Sequence, residues 1–332
     1  MESLLHWGIA NSSANADGGA STSASGITPR QDFDPAILDH ILGRPDAELM
    51  KEALAKAQDK SLHDDARVQA LDDLEMLVEH IDNASDLERL QMWAPIHAFL
   101  TTPDTSDELK TQALWVIGTA VQNNPTAQRA YLSLQPPPLP VVLSFLQPSV
   151  RSPVLRSKAV YTLSSLLKHN RAAMSALDEA GGWSVLRAAL QDSNIAVRRK
   201  LTFLLNTLIM PYNTDTLSSS TTLAGTVPNI HGGVAEQVPV HANSHAAMIA
   251  EPGSAATAWA TLDAFRKHEI LLVLVRELAS PTPVLHTYAV THAGEFEEKD
   301  GKALREYFEA RGAETYGLDE GEKQDLVRIL AK

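Results

Sequence analysis

Cysteine is absent from all 332 residues, which removes any disulfide framework and any thiolate metal site. The N-terminus lacks a basic start followed by an uninterrupted apolar stretch, so no secretory signal is read there. Together these point to a reducing compartment, and a cytoplasmic location is expected. Long hydrophobic runs are missing as well. "ILLVLV" at 270–275 falls far short of the roughly 20 residues needed to cross a bilayer, so a soluble chain is expected. Positive charge is scarce: 28 Lys and Arg against 41 Asp and Glu leave a net charge of −13. That balance works against general nucleic-acid binding, which phosphate attraction drives. The expected partner is a protein.

Catalytic signatures are lacking too. "EEKDGKAL" sets Gly301 before Lys302, but the phosphate loop needs GxxxxGK[ST], and Ala303 has no hydroxyl for magnesium. His241 and His245 in "HANSH" have helical ligand spacing, yet no Glu follows His241 and the surrounding composition is that of a loop. No "GxSxG" turn holds a nucleophilic serine. No metal, no cofactor and no enzymatic activity are expected.

What is present is helix and repetition. Hydrophobic residues make up 44% of the chain, ample for a core in one elongated domain or two compact ones. The opening "MESLLHWGIANS" carries Leu4, Leu5, Trp7 and Ile9, enough for about two turns of amphipathic helix, which need a partner to persist. Residues 11–30 are Ser, Ala, Gly, Asn and Thr with almost no large side chains, so 1–30 is expected to be a flexible segment. From "DFDPAILDHIL" onward apolar residues recur three or four apart, with Pro35 suited to a first helical turn. Breaks are expected at Pro95, Pro103, Pro125, Pro136 to Pro140, Pro148 and Gly181–Gly182.

Four segments align by their apolar pattern: "RVQALDDLEMLVEHI", "KTQALWVIGTAVQNN", "RSKAVYTLSSLLKHN" and "VRRKLTFLLNTLIM". Taking Ala70, Ala113, Ala159 and Leu201 as equivalents, the spacings are 43, 46 and 42. This period, with shorter helices between the copies, predicts an all-α, armadillo-like solenoid over 31–210. Residues 211–258 contain no Lys or Arg and read as a disordered loop, and 259–332 as C-terminal helices completing or capping the array. Trp115, Tyr161 and Phe203 fall at equivalent places and are expected mainly to fill the core. The alternative, a Trp and Asn ladder gripping an extended peptide, is opposed by Thr119, Ser165 and Thr207 one turn later. Asn123, Asn124, Asn170 and Asn206 suit helix caps or bonds between neighbouring turns. Arg198, Arg199 and Lys200 form a cationic run, suited equally to a solvated face and to an acidic partner patch.

The strings "LEMLVEHIDNASDLERLQMWAP", "QALWVIGTAVQNNP", "RSKAVYTLSSLLKHN" and "AGGWSVLRAALQDSNIAVRRK" closely resemble the armadillo-type nucleotide exchange factors of the seventy-kilodalton heat-shock chaperones, Hsp-seventy. The chain resembles their fungal cytosolic Fes branch, related to the metazoan Hsp-seventy-binding protein, and "MESLLHWGIANS" fits that branch. The resemblance implies a solenoid that embraces one lobe of the chaperone's nucleotide-binding domain, weakens its hold on ADP and so frees bound client. By resemblance, Asn83 and Ala84 of "IDNA" and Arg199 and Lys200 of "VRRK" are expected at the partner surface. It further implies that Leu4, Leu5, Trp7 and Ile9 mimic client at the substrate-binding domain. A plain armadillo scaffold or transport adaptor is the competing reading.

Overall fold

The computed structural model describes residues 44–210 and 256–277, with Lys302, Glu306 and Gln324 as isolated positions. All regular structure among them is helical. Helix α1 (Asp46–Gln58) leads into α2 (Asp64–Val78), then the shorter α3 (Ile81–Arg89) and α4 (Trp93–Thr101). The pattern repeats as α5 (Asp107–Val121), α6 (Pro125–Leu132) and α7 (Leu139–Ser144), then α8 (Pro153–Leu167), α9 (Arg171–Glu179) and α10 (Gly182–Ala189). Helix α11 (Ile195–Ile209) closes that run, and α12 (Ala258–Lys267) and α13 (Ile270–Glu277) follow.

The repeat lies in α2, α5, α8 and α11, each 15 residues long. Ala70, Ala113, Ala159 and Leu201 are each the seventh residue of their helix and fully buried, so the spacings 43, 46 and 42 are those of one structural unit. Neighbouring long helices pack side by side, α2 on α5, α5 on α8 and α8 on α11, and bury one continuous core. A unit with one apolar face cannot hide it alone, and stacking supplies the cover.

Local chemistry starts each long helix. Ser106 Oγ accepts from Leu109 N–H, Ser152 Oγ from Leu155 N–H, and Asn194 Oδ1 from Ala196 N–H, satisfying donors that a helix start leaves free. Pro125 and Pro153 occupy first helical positions, where no N–H is needed. Pro95 departs from the sequence expectation: it is the third residue of α4 rather than a break, because the first turn tolerates a missing donor. The chain turns out of α9 through Gly181 at φ 66°, and a side chain on Gly182 would run into Leu177.

Polar groups tie the repeats in register. Asn124 caps α6 at Ala127 N–H while donating to Ile81 O and Ser85 Oγ of the preceding unit. Asn170 does the same for α9, capping Ala173 N–H and donating to Gln128 Oε1. Thr162 Oγ1 donates to Leu114 O across α8 and α5 at 2.7 Å. Arg156 of α8 clamps Asp192, just before α11, with Nε–Oδ2 at 2.6 Å and Nη2–Oδ1 at 2.8 Å, and both side chains are more than nine-tenths buried. Burial works against the Asp192 carboxylate, but the bonds from Arg156 and from Asn194 N–H prevail and hold its pKa below the ordinary value. Thr257 and Thr261 donate to Leu208 O and seat α12 on the end of α11. The expected flexible segment 1–30, the loop up to residue 255 and the helices beyond 277, isolated positions apart, lie outside the described residues.

Candidate partner-binding groove

Because the long helices share one register, the same positions of each reach the same face. The ninth residues are Asp72, Trp115, Tyr161 and Phe203; the thirteenth are Met76, Thr119, Ser165 and Thr207. The expectation that the aromatics fill the core is overturned. Trp115 is 37% exposed, Phe203 is 69% exposed, and Tyr161 is half-buried. Helices α5 and α8 bury nine residues of fifteen, so their core already wraps most of the circumference, and the ninth position falls on the narrow strip left open.

These residues form a connected surface. Lys158 Nζ of α8 stands 3.3 Å from the centre of the Trp115 ring and 5.2 Å from that of Tyr161, a cation–π arrangement. Burial, with the neighbouring charge of Lys200, pulls the Lys158 amine down to about 8, and Glu75 only partly opposes this. Thr119 Oγ1 donates to Glu75 Oε1 at 2.6 Å and lies 3.1 Å from Tyr161 Oη, whose hydroxyl donates to Gln122 Oε1. Burial raises the Glu75 carboxyl above its ordinary value, against the Thr119 bond. Between α8 and α11 the strip opens into a cavity of about 440 Å³, floored by Val160, Tyr161 and Phe203 and rimmed by Lys168, Arg199 and Lys200.

Of the expected partner-binding residues, the structure brings Arg199 and Lys200 together at this cavity, both exposed. Arg198, read with them as one run, turns away: its guanidinium donates to Asp192 O and Ser193 O and completes the turn into α11. Successive helical residues point about 100° apart, so three cations in a row cannot share one face. Asn83 and Ala84 lie on α3, away from that cavity. Asn83 Nδ2 donates to Asp46 Oδ2 and Leu77 O, fastening α3 to α1 and α2, and Ala84 is 2% exposed in the core. Leu4, Leu5, Trp7 and Ile9 lie outside the described residues. Lys158, Lys168 and Tyr161 were missed as surface residues; only their place in the register of the repeat, once its open strip is known, marks them.

The architecture and its aromatic, cationic strip define a class: an armadillo-type helical-repeat protein with an open recognition face. Two solved structures similar in fold are an engineered protein, at 14% identity with a TM-score of 0.57 over 86% of this chain and 96% of that one, and a designed armadillo repeat protein in complex with the peptide (KR)4, at 14% identity and 0.54 over 85% and 99%. The family description "Nucleotide exchange factor Fes1" matches residues 1–87, and "SIL1/FES1/HPBP1 C-terminal domain" matches residues 83–226. The Hsp70 nucleotide exchange factor of Mycosarcoma maydis is 42% identical over 233 residues, 67% of this chain and 58% of that one. That of Candida glabrata is 31% identical over 240 residues, 69% of this chain and 79% of that one. The chain belongs to the Fes1 family. It spans about half to two thirds of the length of the first curated relatives it matches, 58%, 50% and 66%.

Proposed function

We propose that this chain is a nucleotide exchange factor for cytosolic Hsp70 chaperones. The observation that carries the reading is the match to Fes1 relatives across the helices that build the groove. The solenoid face receives one lobe of the chaperone's nucleotide-binding domain, with Arg199 and Lys200 in contact and Asn83 and Ala84 acting through the placement of α3 rather than by touch. Binding is tighter when the nucleotide cleft is open, so ADP leaves faster, ATP enters and client is freed. This needs only differential affinity for the open state and no catalytic residue. The protein acts as a co-chaperone in the cytoplasm, without cofactor or metal.

In the same reading, Leu4, Leu5, Trp7 and Ile9 occupy the chaperone's substrate-binding domain and block return of released client. An armadillo scaffold or transport adaptor would share the fold but leave ADP affinity unchanged. Linkage separates the two. If the factor weakens ADP, ADP must weaken the factor by the same ratio, typically about 5–150-fold. Affinity for the nucleotide-binding domain, measured with and without saturating ADP, is expected to differ by such a factor, and equal affinities would reject exchange activity.

A further inference from the structure

The groove changes charge sign along its length. At one end, α2 presents Asp72 and Glu79, the ninth residue and the C-cap, around the exposed Met76. Asp72 is held in place by Gln112 Nε2 of α5 at 3.0 Å. At the other end stand Lys158, Lys168, Arg199 and Lys200. None of these four cations forms an ion pair with a carboxylate among the described residues. The crowding of Lys200 on Lys158 adds like-charge repulsion that Glu75 only partly offsets. On a chain with net charge −13, four cations gathered with no carboxylate in ion-pair contact are an exception. Lys168, Arg199 and Lys200 rim the cavity whose floor exposes Phe203, and Lys158 stands beside it over Trp115 and near the Tyr161 ring that lines it.

We propose that the groove docks its partner in one direction: an apolar side chain flanked by carboxylates enters the α8–α11 cavity, and a basic residue of the same partner surface meets Asp72 and Glu79 on α2. The cavity lies two to three helix-to-helix steps of about 8–10 Å from α2, which sets the two subsites roughly 20–25 Å apart. The cavity supplies apolar burial for the anchor, and its rim supplies the charge that selects carboxylate neighbours. The acidic end rejects the reversed pose, because a surface slid or turned about would set like charges together at both ends. This rests on the exchange-factor reading for the identity of the partner, the Hsp70 nucleotide-binding domain, and adds the chemistry and polarity of its docking surface.

The test turns on a sign. A groove that merely attracts an acidic partner would bind more tightly when α2 loses its acids; a directional groove would bind more weakly. Full-length wild type and Asp72→Asn/Glu79→Lys are titrated against the Hsp70 nucleotide-binding domain at low and high salt, with helical content checked by circular dichroism. The neutral amide leaves a partner for Gln112, and Glu79 is exposed, so the fold is expected to persist. Association about tenfold slower at low salt, with the difference shrinking at high salt, supports the proposal. Unchanged or faster association overturns it while leaving exchange activity standing. In parallel, Ser164→Trp fills the cavity from its wall without altering charge, and a loss of binding of at least about tenfold is expected, whereas wild-type affinity would remove the cavity as an anchor. Failure of the wild type itself to bind the domain overturns the exchange-factor reading and this proposal together.

Discussion

Replacing Arg156 by Met is the perturbation whose cost the structure states most fully. The guanidinium makes four bonds: two to the Asp192 carboxylate and two to the carbonyl oxygens of Val150 and Arg151. Methionine fills much of the volume but returns none of them. Asp192 would keep the N–H of Asn194 and the nearby charge of Arg198 but remain buried without its ion-pair partner. Removing one member of a buried pair costs about 3–5 kcal/mol, which for a chain of this size lowers the melting temperature by roughly 4–7 °C. In a solenoid the damage is local to one interface, so α11 and α12 are expected to lose amide protection before α2 and α5 do. Urea unfolding with hydrogen exchange reads both effects. The pH dependence has a definite sign: the Asp192 pKa is lowered in the folded state, so its stabilisation is present above the unfolded value of about 3.9 and is lost as pH falls through the folded value. The variant should lose that acid-dependent step. Arg156→Met/Asp192→Leu, which removes both charges, should recover most of the loss. A single-variant cost below about 1 kcal/mol, or no recovery in the double, would refute the clamp.

Three further outcomes are expected. In Gly118→Ala the added methyl would meet the Tyr161 ring at 2.5 Å and the backbone of Thr162 at 3.3 Å, so overpacking should cost about 1–3 kcal/mol and displace Tyr161 from the groove; wild-type stability would show that α5 and α8 are not in close contact there. The Lys158 amine, held down to about 8, binds fewer protons folded than unfolded between about 8 and its ordinary value, so stability rises with pH across that window; Lys158→Met should be more stable at neutral pH and should flatten the rise, and an unchanged slope in thermal melts would contradict it. Deleting residues 1–30 should leave the melting temperature and nucleotide release unchanged but slow the discharge of tightly held peptide, since a short tether supplies an effective concentration on the order of millimolar; a lower melting temperature with normal discharge would make that segment a cap instead.

The repeat was legible because it is written in volume. Ala70, Ala113, Ala159 and Leu201 recur where two long helices meet, and that contact admits no charge. The aromatics were misread for the same reason. A helix apolar nearly all round gives periodicity no preferred face, so Trp115 looked like further core, and Phe203 was read the same way from its equivalent place in the repeat, when both mark the open seam. Arg199 and Lys200 could be read as a patch from their adjacency, but Arg198 could not be separated from them without knowing that the turn before α11 needs its donor. The Arg156–Asp192 clamp spans 36 positions, and no local pattern announces it. Cations such as Lys158 and Lys168 acquire meaning only once α5, α8 and α11 are laid side by side.

The central claim is tested most directly by timing the release of labelled ADP from a cytosolic Hsp70 with wild-type protein and with Arg199→Glu/Lys200→Glu. Wild type is expected to accelerate release. The variant, reversed at the rim of the cavity and otherwise folded, should lose that acceleration at low concentration and regain part of it when added in excess, because the groove still fits and only the encounter is impaired. Release at the spontaneous rate with wild type at every concentration would contradict the account.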